Sequence, residues 1–153
     1  MPSTARVWVY QSSRFLTPAE QEKIRLAASD FIHGWTAHNQ DLFAAFDIRF
    51  DLFLIIMLDE EKALASGCSI DKSVHFIQSL EKTLQLEFMN RMLIAYRDND
   101  RLAIATRNEF EKLAAAGIVT EDTIVFNNLV RTLKELDEQW EVPLRNSWHQ
   151  QLI

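Results

Sequence analysis

Residues 44–59, AAFDIRFDLFLIIMLD, constrain the fold of this chain more than any other stretch. Up to Asp51 the pattern alternates: Ala44, Phe46, Ile48 and Phe50 share one face, and Ala45, Asp47, Arg49 and Asp51 share the other. From Leu52 onward every position through Leu58 is apolar. Alternation marks a strand with one face toward water, and a short unbroken apolar run marks a strand covered on both faces. The two halves read as an edge strand that turns back into a central one. The remainder of the chain must then cover the central strand from both sides.

The chain has 153 residues, enough for one domain with a substantial core. Hydrophobic residues at 48% and charged residues at 25% place it among ordinary globular proteins. Its net charge of −6, with no Lys/Arg cluster in the sequence, argues against a nucleic-acid partner, because phosphate binding needs a positive face. The single cysteine, Cys68, excludes an internal disulfide and leaves any zinc site to other residues. The opening MPSTARVWVY lacks the basic flank and apolar core of a signal peptide. The apolar run at residues 52–58 is too short for a bilayer, which takes roughly 20 residues. A reducing cytoplasmic setting without membrane insertion is the expectation.

In chain order, residues 6–11 (RVWVYQ) have the β-branched and aromatic content of a first strand. Thr17-Pro18-Ala19-Glu20 predicts a helix start: Thr17 as cap, Pro18 in the first helical position, Glu20 completing a capping box. Ile24, Ala27, Ala28, Phe31, Ile32 and Trp35 recur at helical spacing, with Gly34 where a C-terminal cap is expected. After the two strands described above, Ser66-Gly67-Cys68-Ser69 reads as a turn into a second helix with Ile70, Val74, Ile77, Leu80 and Leu84 as its buried stripe. Residues 92–96 read as a strand, 97–100 as a polar turn and 101–105 as its hairpin partner. A second capping box, Thr106 with Glu109, opens a short helix ended by Gly117. A strand at 123–126, a helix capped by Thr132 and stopped by Pro143, and a docking apolar tail complete the chain.

The order β-α-β-β-α-β predicts an α+β fold with a ferredoxin-like core over residues 1–96. Residues 97–153 are expected to form a C-terminal α/β extension that covers the sheet, all within a single domain. Trp8 and Tyr10 are expected to pack in the core under that cover rather than to stack on bases.

Chemistry is sparse. Cys68 stands just before the second predicted helix, where backbone amides favour a thiolate; Ser69 is the expected cap, and His75 lies about two turns on. A Cys-His nucleophile is one reading of this loop. The alternative is a small structural thiol in a tight turn, with Asp71 in the first helical turn opposing thiolate formation. The amides of Ser66, Gly67, Cys68 and Ser69 also offer a small anion a place to bind. His33, His38, His75 and His149 show no metal-ligand spacing, and Asp59, Glu60 and Glu61 read as a solvated turn. No GxxxxGK[ST] occurs, and three glycines cannot make a GxGxxG, so neither nucleotide signature is present. No cofactor is implied.

The segments VWVYQS, FDIRFDLFLIIMLDE, ASGCSIDKSVHFI, DTIVFNNLV and WEVP with the later SW resemble a family of small uncharacterised bacterial proteins, some of which are labelled "ABC transporter ATPase". The resemblance covers nearly the whole chain. It implies a stand-alone cytoplasmic protein and brings no activity, since the P-loop and the LSGGQ-like signature of such ATPases are missing here. Residues 109–130, a helix followed by GIVTEDTIVF, are also similar to GYF-like interaction modules, without the aromatic residues that define a peptide-binding surface.

Two functional classes follow. The leading one is a non-enzymatic protein that binds a partner protein or small ligand, with a homodimer as one form of partnership. The other is a small-ligand sensor or enzyme centred on the Ser66–Asp71 loop, with Cys68 as reactive thiol and His75 and Asp59 nearby.

Overall fold

The computed structural model describes residues 1–153 and has four layers: two helices, a three-stranded sheet, a four-stranded sheet, and a helix with the chain's end. The first sheet holds β1 (Arg6–Gln11), β4 (Ala44–Arg49) and β5 (Phe53–Leu58), ordered β1-β5-β4 and antiparallel throughout. Its middle strand is the apolar run, buried at every position. Leu54, Ile56 and Leu58 face α1 (Pro18–His33) and α2 (Gly67–Leu84), whose Ile24, Ile77, Leu80 and Leu84 close that core with Trp35. Phe53, Ile55 and Met57 face the second sheet. A strand flanked on both sides and covered on both faces has no place for a polar side chain, and the sequence supplies none.

The ferredoxin-like expectation fails at its fourth strand. That strand, β6 (Leu93–Asp98), does not pair beside β1 but founds a separate sheet ordered β7-β6-β8-β9, with β7 (Arg101–Thr106), β8 (Ile124–Phe126) and β9 (Glu141–Pro143). Both edges of β6 are taken: Asn99 in the left-handed conformation (φ 58°) lets β7 zip to one edge along its whole length, and Val125 of β8 pairs with Tyr96 on the other, which leaves no edge for β1. Leu102, Ile104, Ala95 and Phe126 then pack on the first sheet. The opposite face, with Ile94, Tyr96, Ala105 and Val125, is closed by Phe110 of α3 (Arg107–Ala115) and by Leu144 and Leu152. The cover expected from residues 97–153 therefore starts earlier, at Leu93, and is a sheet rather than a set of appended pieces.

Local signals decided most elements. The Thr17/Glu20 and Thr106/Glu109 boxes form as expected, and Thr132 Oγ1 accepts from the Glu135 amide at the start of α4 (Leu133–Gln139). Pro143 does not stop α4; the helix ends at Gln139 and Pro143 belongs to β9. Two short strands, β2 (Thr36–Ala37) and β3 (Gln40–Asp41), form a hairpin the pattern did not reveal, turning at His38 and Asn39, both at positive φ. Gly34 is the C-cap of α1 as expected, its amide donating to the Ile32 carbonyl, with φ −103° rather than a left-handed conformation. The buried stripe of α2 also differs at its N-terminal half: Ser69 and Ser73 are buried there, while Ile70 and Val74 are only partly covered. No helix is long and apolar enough to cross a membrane.

Candidate binding groove

The loop singled out for Cys68 becomes the start of α2. Ser66, not Ser69, is the cap: its Oγ accepts from the Ser69 amide at 3.1 Å, while Ser69 Oγ accepts from the Ser66 amide at 2.7 Å. Ser69 is buried, and its carbonyl accepts from Trp35 Nε1 at 2.8 Å. Both serine side chains are thus committed to the helix's own backbone. Cys68 lies at the second helical position and is exposed, which corrects the picture of a small thiol buried in a turn. Asp71 falls in the second turn rather than the first, so the first turn carries no acidic residue. His75 and Asp71 are both exposed on α2, and Asp59 is buried at the end of β5, where Oδ1 accepts from the Glu61 amide at 3.1 Å. No cluster of three or more His, Cys, Asp or Glu side chains in the chain could hold a metal ion.

The main cavity lies elsewhere, along the outer edge of β1, where the missing fourth strand leaves room. It is a groove of about 1260 Å³ lined by β1, Val74 of α2, residues 88–95, residues 128–132 and the Trp148-His149 pair. Cys68, Ser69 and His75 do not line it. Its floor follows from antiparallel pairing, in which alternate residues bond to opposite neighbours. The Ser12 amide donates to Leu52, so the even-numbered residues of β1 serve β5, while the odd-numbered ones point outward. At one end the outward groups are used: Leu133 donates to the Ala5 carbonyl and Val7 donates to Arg131, both at 2.9 Å. At the other end Ser13 donates to Glu87 at 2.8 Å. Between them, Val9 and the backbone of Gln11 have no partner strand. A sheet edge of this kind is a template for another strand.

The walls are apolar with a charged rim. Met89, Met92 and Leu129 are 38%, 54% and 62% exposed and all line the groove, an unusual concentration of large apolar side chains in water. Four arginines, Arg6, Arg91, Arg107 and Arg131, line it against one carboxylate, Glu60. Glu60 stands 3.6 Å from Arg6, whose guanidinium lies over the Trp8 ring at 4.7 Å. In a chain of net charge −6 this is a local reversal of sign.

Trp8 and Tyr10 are half-buried on the helix face of the sheet, with Trp8 edge-on to Trp35 at 6.1 Å. They are covered by α1 and α2 and not by the C-terminal part of the chain, which packs on Val7 and Val9 instead. Burial raises the Tyr10 phenol above its ordinary value. Trp140 is buried between the sheets, whereas Trp148 is half-buried and forms part of the groove wall. Beside it His149 is buried, stacked on Trp148 at 3.9 Å with Nδ1 2.6 Å from Ser147 Oγ; burial pushes its pKa down to about 4. Sequence reasoning missed the groove because its lining is drawn from many separated stretches between Thr4 and His149, none of which carries a motif. The signal that existed was the edge itself: a strand as apolar as β1 needed a neighbour on its second side.

Comparisons with protein-family models, with curated proteins and with solved structures return no match to this chain, so its function must be argued from the groove.

Proposed function

We propose that the protein is a non-enzymatic binding module whose ligand occupies the groove beside β1. The observation that carries this reading is the coincidence of an unpaired strand edge with exposed apolar side chains in a single large concavity. Binding sites are mostly apolar clefts with a few placed polar groups, and open backbone donors and acceptors provide those groups here. The lining holds one carboxylate, Glu60, which stands beside Arg6, and one imidazole, His149, which is buried against Trp148 with Nδ1 taken by Ser147, an arrangement that favours binding over catalysis. A panel of small aromatic and aliphatic amides and carboxylic acids, followed by amide and indole NMR shifts, tests the reading. Saturable shifts at Val9, Leu93, Leu129 and the Trp148 indole are expected. Shifts confined to Gly67, Cys68 and Ser69, or none in the groove, would overturn it.

A second reading rests on the exposure of Cys68 at the start of α2: a reactive thiol that senses or modifies a small molecule. Alkylation of the native protein across pH, beside an unfolded control, separates the two. Labelling with a midpoint well below the roughly 8.5 of a free thiol supports the thiol reading. A profile that overlays the unfolded control removes it.

A further inference from the structure

We infer that the natural occupant of the groove is a short, extended, acidic segment of a partner protein, added to β1 as a fourth strand. The inference rests on the binding-module reading above and names the partner's chemistry. The open part of β1 is a window bounded by the Arg131–Val7 bond at one end and the Ser13–Glu87 bond at the other. At about 3.3 Å per residue, it admits about five residues of extended chain. Within that window the outward groups alternate between donor and acceptor along Val9 and Gln11, which is the pattern an added strand satisfies and a globular surface does not. The chain itself begins this pairing: Thr132 bridges Arg6 in antiparallel sense before residues 128–130 leave the edge. The incoming segment takes up the edge where that pairing stops.

The charge of the rim selects what is added. Arg91 and Arg131 make no ion pair within the chain, and Arg107 has only an exposed partner four residues on, Glu111 at 3.5 Å. Guanidinium groups around a partly desolvated groove favour carboxylates and repel cations. The same rim disfavours a second copy of this chain, since edge-to-edge pairing would set two arginine-rich rims against each other. Met89, Met92 and Leu129 give the segment's alternate side chains an adaptable apolar surface.

The test uses four probes against the full chain: a capped acidic peptide of sequence EVEVE, the same peptide N-methylated at alternate residues, its basic counterpart KVKVK, and a ten-residue oligouridylate. Amide NMR shifts and fluorescence anisotropy report binding. EVEVE should shift Val9 and Gln11 saturably, and N-methylation of the pairing edge should abolish that shift. KVKVK should bind roughly tenfold or more weakly, and R131E should weaken EVEVE by a similar factor, as expected for losing a charge-assisted contact. Equal binding of the N-methylated peptide would overturn strand addition, and equal binding of KVKVK would overturn the acidic preference. Tighter binding of oligouridylate would replace the peptide with a nucleic acid. If the small-molecule panel moves the groove resonances but EVEVE does not, the occupant is wrong and the groove stands. If neither moves them, both readings fall.

Discussion

Asn128 Nδ2 donates to Gln11 Oε1 at 2.9 Å, across 117 residues of sequence, and ties the end of β1 to the loop after β8. The orientation of both amides is fixed from one side. The Trp140 indole can only donate, so Asn128 must present Oδ1 to it, at 2.9 Å, and its amino group to Gln11. Gln11 then has only its own amino group left, which reaches the Leu93 carbonyl at 3.4 Å. One chain of bonds runs from α4 through the β8 loop and β1 to β6, at the end of the groove where the two sheets meet.

Replacing Asn128 with Leu should therefore destabilise the protein more than its single position implies. It leaves the Trp140 N–H and Gln11 Oε1 without partners, and each buried polar group left unpaired costs about 1–3 kcal/mol. Urea denaturation measures this directly. If N128L unfolds at the wild-type midpoint, the network holds nothing together.

His149 predicts a pH dependence with a definite sign. Burial lowers its folded-state pKa from 6.5 to about 4, so between those values the unfolded chain takes up a proton that the folded chain refuses. Its contribution is complete above pH 6.5, is lost as pH falls toward 4, and then levels off. Glu20, held at about 2 by its bonds to Arg14 and the Thr17 amide, adds a separate loss below 4.5. Urea midpoints across pH 4.5–6.5 should slope in wild type and flatten in H149Q, whatever the absolute stability of the variant. A variant that keeps the full slope would place the titration on another group.

The backbone at the end of α2 yields a stabilising change. Gln85 sits in the left-handed conformation (φ 53°) as the cap residue, where a side chain is strained by roughly 1 kcal/mol and glycine is not. Gln85 is exposed, so its side chain contributes little packing. Q85G should raise stability by about 0.5–1 kcal/mol, read as a higher urea midpoint with an unchanged slope. With only three glycines in the chain, six other residues carry positive φ, and Gln85 is the one among them at a helix end.

What could be read in advance was what neighbours along the chain decide. The burial of residues 52–58 and the caps at Thr17, Thr106 and Thr132 rest on contacts or patterns within a few residues. Every residue of β4, by contrast, is half-buried, and Phe50, placed by the alternation on the face of Phe46 and Ile48, sits in the turn at φ 57° beside Phe53, Phe126 and Trp140. The partner of β6 rests on competition instead. Its sequence, LIAYRD, suits an edge beside β1 as well as one beside β8; the hairpin at Asn99 supplies β7 in either case, and the second edge goes to β8, which arrives from farther along the chain. The groove is the consequence of that outcome. A space left by an absent strand has no sequence of its own, and its rim is drawn from residues as far apart as Arg6 and Arg131.

That space makes a prediction about single backbone amides that requires no ligand. Along β1, the Trp8 and Tyr10 amides point to β5 and the Val7 amide donates to Arg131, so all three are bonded in the folded state. Val9 lies between them on the same strand, with an outward amide and no partner. Hydrogen exchange of a bonded amide waits for local opening, whereas an unbonded one facing a wet groove exchanges from the closed state. Val9 should therefore exchange much faster than Val7, Trp8 and Tyr10, an alternation that sequence position and overall stability do not produce. Protection of Val9 equal to that of Val7 would mean the edge is already covered, and the groove would then not be a place for an added strand. Slowing of Val9 alone on addition of a peptide would identify the bond that the peptide makes.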